Sequence, residues 1–203
     1  RSAPEAHAAL DLHLGALLTS SSKSVQSSTA ALIKRLDYGN AAERVTQLAL
    51  DPKTSAAVRA SSLTAMAALK APELTKAINL GLKSDSPQLR MAAREAILNP
   101  SSQIEQVQWA SRAGTLAEKQ HAIALAARIT SSQSATLMKS WTNAMIKGTA
   151  PAELALDIYI AASNHEATSE EVKKYTSTLP ANQGGPLALA LHGGNPEKGR
   201  EIF

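Results

Sequence analysis

Hydrophobic and small residues recur in this chain at a fixed interval of 31 residues. One ladder of positions carries small side chains: Ala31, Ser62, Ala93, Ala124 and Ala155. A second ladder is large and apolar at all but one position: Leu36, Ala67, Leu98, Ile129 and Ile160. A third follows the first by one residue: Leu32, Leu63, Arg94, Leu125 and Leu156. A fixed period in this range predicts a repeat protein, whose units bury their apolar faces by stacking.

Between the apolar positions, Pro, Gly and N-capping residues divide the chain into about ten predicted helices joined by short turns. The helices are predicted from Pro4, from Val25, over 44–50, 58–69, 73–82, 87–98, 102–114, 115–129, 137–148 and 151–160, and from Thr168. Ser86-Pro87 is a start signal, and capping boxes are predicted at 102–105, 115–118 and 168–171. No strand-like alternation is present. The predicted fold is all-α, an α-solenoid of helical hairpins (an α–α superhelix).

The composition agrees with a helical fold and excludes several kinds of functional site. The chain is 44% hydrophobic but only 3% aromatic, which suits closely packed Ala- and Leu-rich helices better than a β-sandwich. The net charge of +4 is dispersed, so a solvated surface is favoured over a phosphate-binding stripe. The absence of Cys excludes disulfides, thiolate metal sites and cysteine nucleophiles. No apolar run in the sequence approaches the roughly 20 residues of a membrane span, and we expect no signal peptide within it.

The five histidines lack the spacing of a metal motif. His7 and His13 fall on different faces of a helix, and His165 lacks the second His of a zinc-binding helix. We interpret these three, together with His121 and His192, as surface or half-buried residues. The sequence therefore predicts no catalytic residue, no cofactor-binding residue and no metal ligand in this chain.

Other reactive-looking residues have simpler structural interpretations. There is no Gly-x-Ser-x-Gly elbow, and Gly184-Gly185 and Gly193-Gly194 lack the strand-to-helix context of a phosphate loop. Glu170-Glu171 and Asp157 lie at predicted helix starts or on helix faces, where a helix-dipole or solvent role suffices.

Two tryptophans and two arginines have a second interpretation. Trp109 and Trp141 lie in apolar stripes, which favours core packing over a role as an interface anchor. Arg59 and Arg90 recur at the repeat period. They are predicted to be structural, and the alternative is a charged ridge that steers an acidic partner.

Two segments resemble the second helix of a HEAT repeat. They are Val58-Arg59 through Met66 and Leu89-Arg90 through Leu98, where an aliphatic–Arg pair precedes regularly spaced small residues. Turns with Asp and Pro come before them, at Asp51-Pro52 and Asp85-Ser-Pro87. The resemblance covers about residues 41–165 and implies stacked helices with an Asp–Arg hydrogen-bond ladder between turns. It decays in the third repeat, where Gln120-His121 replaces the aliphatic–Arg pair, and the first two helices depart from it.

The last residues resemble the opening of a c-type cytochrome domain. The matching segment is Leu191 to Phe203, with Asn195, Lys198-Gly199 and Ile202-Phe203 in the family's order. The resemblance implies a haem-attachment motif further along, and the motif itself is not in this chain. We predict a HEAT-like domain over 1–192, and a linker with the start of a truncated domain over 193–203. Arg1 in place of Met is typical of a processed chain or a fragment.

Together the two resemblances match large bacterial fusion proteins, in which a dehydrogenase-like propeller is followed by HEAT repeats and a cytochrome c domain. They imply a non-catalytic scaffold from a membrane-bound or secreted, extracytoplasmic dehydrogenase that transfers electrons. Its partners would be protein domains of the same parent chain. The chain would hold no cofactor, with haem c in the missing downstream domain, and no small-molecule substrate is evident.

Two other functions stay open from the sequence. One is a basic HEAT-like nucleic-acid binder or DNA glycosylase, which is disfavoured because aromatic residues are scarce and basic residues scattered. The other is a generic protein-binding adaptor, since arrays of this kind bind proteins.

Overall fold

The computed structural model describes residues 3–36 and 38–179, and within these ranges it is all-helical, with no strand. The predicted all-α class is confirmed. The α-helices are α1 (Ala3–Leu18), α2 (Lys23–Leu36), α3 (Ala42–Leu50), α4 (Ala56–Leu69), α5 (Leu74–Leu82), α6 (Pro87–Glu95), α7 (Pro100–Ala113), α8 (Leu116–Ala126), α9 (Ser132–Ile146), α10 (Ala155–Ser163) and α11 (Ser169–Thr178). Single 3₁₀ turns, Gly39–Ala41 and Ala152–Leu154, precede α3 and α10.

The chain divides into two compact units, Arg1–Asn99 (unit 1) and Pro100–Phe203 (unit 2). The predicted boundary near residue 193 lies outside the described residues. Each unit has its own hydrophobic core, formed by the inward faces of its helices.

Unit 1 is built from three helical hairpins, α1–α2, α3–α4 and α5–α6. The second helices of these hairpins pack in succession, α2 on α4 and α4 on α6, and α3 also packs on α5. Leu63, Met66 and Leu89 are fully buried where α4 meets α6. The core of unit 1 thus includes the row of second helices, together with the inward faces of α1, α3 and α5.

Gly81 allows α5 to approach α6 closely. A Cβ atom built on Gly81 would lie 2.8 Å from Ala93 Cβ and 3.4 Å from Leu63 Cδ2. From helix propensity alone, Gly81 is expected to weaken the end of α5. The structure shows that the missing side chain makes room for the neighbouring helices.

Unit 2 contains the hairpins α7–α8 and α9–α10, followed by α11, which packs on α10. Its second helices also contact each other, α8 with α10, and α7 contacts α9. Gln120 Nε2 of α8 donates to Asp157 Oδ2 of α10 at 3.1 Å. Asp157, interpreted from the sequence as solvated or paired with a helix dipole, therefore joins two helices.

Several predicted helix boundaries are wrong. Helix α6 ends at Glu95 and not at Leu98, which is 62% exposed. Helix α7 begins at Pro100, so the capping box predicted at Ser102 lies inside a helix. Proline is favoured at the first helical position, because its fixed φ suits the helix and its missing N–H would have no intrahelical partner there. Helix α8 ends at Ala126 and not at Ile129.

The other capping predictions have mixed outcomes. Ser86 caps α6, and Thr115 with Glu118 forms the predicted capping box of α8. Thr168 precedes α11 but makes no side-chain capping bond. Its hydroxyl instead donates to Ala162 O at 2.8 Å, so the box predicted at 168–171 is wrong.

The 31-residue ladders fall in or just after every second helix, α2, α4, α6, α8 and α10, with Leu98 and Ile129 beyond the ends of α6 and α8. Burial does not repeat with them. Ser62 and Ala93 are buried but Ala124 is exposed, and Leu32 and Ile160 are exposed where large apolar residues were predicted to face inward. The turns between helices differ in length, so a constant step along the sequence does not return each helix to the same rotation.

Candidate functional site

An open groove of about 680 Å³ in unit 2 is the candidate functional site. We call it the turn groove, because it lies between the α8–α9 turn and the α10–α11 turn. Its lining residues are Ala127, Ile129, Thr130, Ser131, Ser132 and Ala135 on one side and Asn164, His165, Glu166 and Ala167 on the other. The sequence interpreted both stretches only as breaks between helices.

Buried hydroxyl groups hold the α8–α9 side of the turn groove. Ser131 caps α9 by accepting a hydrogen bond from Ser134 N at 3.0 Å. The Ser134 hydroxyl, fully buried, donates to Ala126 O at 2.6 Å. The first turn of α9 is therefore tied to the last turn of α8, which satisfies one of the carbonyls that a helix end leaves without an intrahelical partner.

The α10–α11 side is held in the same way. Thr168 Oγ1 donates across the turn to Ala162 O at 2.8 Å, and Thr168 N donates to His165 O at 3.0 Å. Asn164 Nδ2 donates to Ile160 O at 2.8 Å, which covers another carbonyl of α10. The turn therefore has a fixed shape that depends on one buried threonine.

His165 is the half-buried ionisable group of the groove. Its Nδ1 accepts a hydrogen bond from Ala167 N at 3.2 Å. The neutral ring therefore carries its proton on Nε2, which is a donor. Glu166 next to it is exposed and offers acceptor oxygens.

The turn groove can hydrogen-bond a peptide or loop. It combines the Nε2 donor of His165, the carboxylate of Glu166 and the hydroxyls of Thr130 and Ser132 with apolar surface from Ala127, Ala135 and Ala167. Polar groups of this kind, spaced along an open groove with apolar sides, suit a polypeptide ligand more than a small molecule, which is usually enclosed.

The arginines weighed in the sequence make equivalent contacts in two hairpins. Arg59 Nε of α4 donates to Ala49 O, near the end of α3, at 3.1 Å. Arg90 Nη1 of α6 donates to Ser84 O, just after α5, at 2.7 Å. Arg59 thus bonds a backbone carbonyl and not an Asp carboxylate, which the resemblance to a HEAT repeat implies. The Asp51 carboxylate accepts from Lys53 N at 2.8 Å and from Thr54 within its own turn.

The two tryptophans differ. Trp141 is half-buried against the core of unit 2, as predicted. Trp109 is 49% exposed, so the prediction that it packs in the core is wrong. The stripe on α7 misleads because Ile104, Val107 and Ala110 fill the buried face and Trp109 lies beside it.

The remaining candidates lie on the surface or outside the described residues. His13 is exposed and His121 is half-buried, in agreement with their interpretation. The exposed Glu170 carboxylate accepts from Lys173 Nζ at 2.6 Å, and this hydrogen bond and the Lys173 charge lower the pKa of Glu170. The side chain of His7, and His192 with both Gly-Gly pairs, are not among the described parts of the chain.

Within residues 3–36 and 38–179, no cluster of three or more His, Cys, Asp or Glu side chains is placed to hold a metal ion. Over the same ranges, no helix combines the length and apolar character needed to cross a bilayer.

No known protein family, curated protein or solved structure matches this chain. The class that the fold defines is therefore an all-helical protein of two hairpin-built units.

Proposed function

We propose that this chain is a non-catalytic scaffold that holds another protein domain on stacked helical hairpins of the HEAT-like, α-solenoid type. The observation that carries the proposal is the order of helix contacts within each unit. Each hairpin packs on the next through its second helix, as α2, α4 and α6 do in unit 1 and α8 and α10 in unit 2. Stacked units of this kind present extended surfaces for protein ligands.

The arginine contacts support the repeat interpretation. Arg59 and Arg90 are both the fourth residue of a second helix, and each bonds a carbonyl at the end of the first helix of its own hairpin. The same role at the same helical position in successive hairpins is what sequence repeats produce.

The proposed partner is a c-type haem domain of the same polypeptide, as the resemblance of Leu191–Phe203 implies. On this proposal the chain sets the position of the haem domain relative to a dehydrogenase-like domain and has no reaction of its own. The turn groove, with fixed turns and mixed donors and acceptors, is the proposed docking surface.

The test compares this chain with the polypeptide that its own gene encodes beyond Phe203. We expect a Cys-x-x-Cys-His motif in the extension and slower hydrogen exchange at 127–135 and 164–167 in the extended protein. An extension without the motif would overturn the haem domain as partner. A haem-loaded extension that leaves exchange at the turn groove unchanged would overturn that surface as the docking site.

Nucleic-acid binding is a separate outcome. Submicromolar binding to duplex DNA at low salt, weakening steeply as salt rises, would contradict the scaffold proposal. The dispersed basic residues of the chain make weak binding the expected result.

A further inference from the structure

A second groove lies between α10 and α11, at the end of the described chain. We call it the terminal groove. It has a volume of about 410 Å³, and Tyr159 and Ser163 of α10 and Val172, Lys173 and Thr176 of α11 line it. Most of its accessible lining is apolar. Among the described helices, α11 packs chiefly on α10.

Helix α11 stands where the first helix of another hairpin is expected. Helices α7 and α9, which hold the equivalent place, each pack on the helix that follows them. A hairpin array exposes an apolar face at its end unless a further segment covers it. The terminal groove is therefore the end surface on which a further segment is expected to pack.

We propose that Leu187–Leu191 of the same chain occupies the terminal groove. This run alternates Leu and Ala, and residues 180–196 contain no Asp, Glu, Lys or Arg. The one charged side chain that lines the groove, Lys173, is already paired with Glu170 at 2.6 Å. An uncharged, Leu-rich segment therefore matches both the apolar lining and the neutralised edge of the groove.

The connection is long enough for this. Residues 180–186 join the end of α11 to the Leu run, and eight extended steps from Leu179 to Leu187 span up to about 26 Å. The groove follows α11 from Ser169 to Ser177, which is about 12 Å of helix. Gly184, Gly185 and Pro186 in the connection suit a reversal of chain direction.

The absence of Cys makes a direct test clean. The double variant Thr176→Cys/Leu189→Cys places one thiol in the groove and one in the Leu run. We expect its intramolecular disulfide to form about tenfold faster than that of Lys139→Cys/Leu189→Cys, where exposed Lys139 lies on α9, because docking raises the effective concentration of the thiols. Equal rates would overturn the proposal. Disulfide-linked dimers in place of the internal bond would show a second copy as the occupant, and would also overturn it.

A second measurement does not depend on disulfide geometry. Replacing Leu187, Leu189 and Leu191 together by Asp is expected to speed hydrogen exchange of α11 amides about tenfold, since opening would lose the contacts of the docked run. Gln183→Asp, in the connection, is the matched control and is expected to leave exchange unchanged. Unchanged exchange in the triple variant would overturn the proposal. Neither experiment needs the haem domain. A negative result would therefore overturn the proposal for the terminal groove without testing the proposed function.

Discussion

The two units use the same element, the helical hairpin, but tie it together with different side chains. In unit 1, half-buried Arg59 and Arg90 reach carbonyls across their hairpins, and small residues such as Gly81 and Ala93 let helices approach closely. In unit 2, the short hydroxyls of Ser134 and Thr168 are buried and bond carbonyls across turns. These contacts differ in kind, but neither kind is confined to one unit. In unit 2 a Cβ atom built on Gly114 would lie 2.5 Å from Ala110 O, and in unit 1 the buried hydroxyl of Thr29 donates to Val25 O at 2.7 Å.

The difference matters for function because the two kinds of contact constrain different things. Packing of small residues sets the distance between helices, whereas a hydrogen bond also fixes direction. The turn groove is lined by the two turns that buried hydroxyls hold. A surface whose shape is fixed in advance loses less entropy when it binds a partner.

The largest effect is expected in the packing of unit 1. Gly81→Val would place three carbons where one Cβ already meets Ala93, and should lower the free energy of unfolding by about 3 kcal/mol. The measurement is chemical denaturation, with hydrogen exchange to assign the loss to unit 1. Gly15→Ala in α1 is the control, since its Cβ would find only ordinary contact at 3.9 Å, and it should stabilise by about 0.5–1 kcal/mol. Equal stability of the two variants would contradict the close packing of α5 on α6 at Gly81.

The next effect is in the capping box of unit 2. Glu118 is fully buried and accepts from Thr115 N at 3.1 Å and from Thr115 Oγ1 at 3.0 Å. Glu118→Ala should lower the free energy of unfolding by about 2 kcal/mol, because Thr115 at the start of α8 loses the charged acceptor of two hydrogen bonds. Glu105→Ala, on the exposed face of α7, should change stability by less than about 0.5 kcal/mol. Thermal unfolding of both variants measures the difference, and comparable losses would show that burial of Glu118 adds nothing.

Replacing two buried serines by Ala is expected to change the free energy of unfolding in opposite directions. Both are 0% exposed, but Ser62 Oγ in unit 1 has no hydrogen-bond partner among the described residues, whereas Ser134 Oγ bonds Ala126 O. Ser62→Ala should stabilise by about 1 kcal/mol, and Ser134→Ala should destabilise by about 1 kcal/mol. Denaturant midpoints of the two variants decide this. A loss of stability in both would remove the contrast between the units.

The smallest effect is on the surface of α11. Because the pKa of Glu170 is lowered by Lys173, the pair stabilises the fold above the ordinary Glu value of 4.5, and this contribution is lost as the pH falls through the lowered pKa. Glu170→Gln should therefore lower Tm slightly at pH 7, and the difference from wild type should vanish in acid. It should also shrink at high salt, as expected for an exposed pair. A difference that is the same at every pH would exclude the ion pair as its cause.

The local signals in the sequence predict much of the fold. Ser86-Pro87 and the Thr115–Glu118 box mark helix starts correctly, because they depend on residues three positions apart. The same pattern fails at Ser102, where Pro100 has already begun the helix, and at Thr168, whose hydroxyl bonds Ala162 in the preceding helix. Pattern alone does not distinguish a cap from a tertiary hydrogen bond.

The candidate site could not be predicted in the same way. Ser131 and His165 belong to turns more than 30 residues apart, and only the packing of α8, α9 and α10 brings the turns together to form a groove. Nothing in a polar break such as 131–134 indicates that its Ser134 hydroxyl is buried. Tertiary packing also sets the rotation of each helix about its axis. Trp109 and Ile160 are therefore exposed, although their sequence patterns predict that they face inward.

The arginine contacts of unit 1 bear on how such a chain lengthens. Arg59 and Ala49, like Arg90 and Ser84, belong to one hairpin, so each hairpin contains both the donor and the acceptor of its own tie. Duplication of the DNA that encodes one of these two hairpins would insert a segment that brings both the donor and the acceptor of this hydrogen bond with it. Tandem duplication in steps of one hairpin is therefore an accessible evolutionary route, and the 31-residue interval is the mark that it would leave.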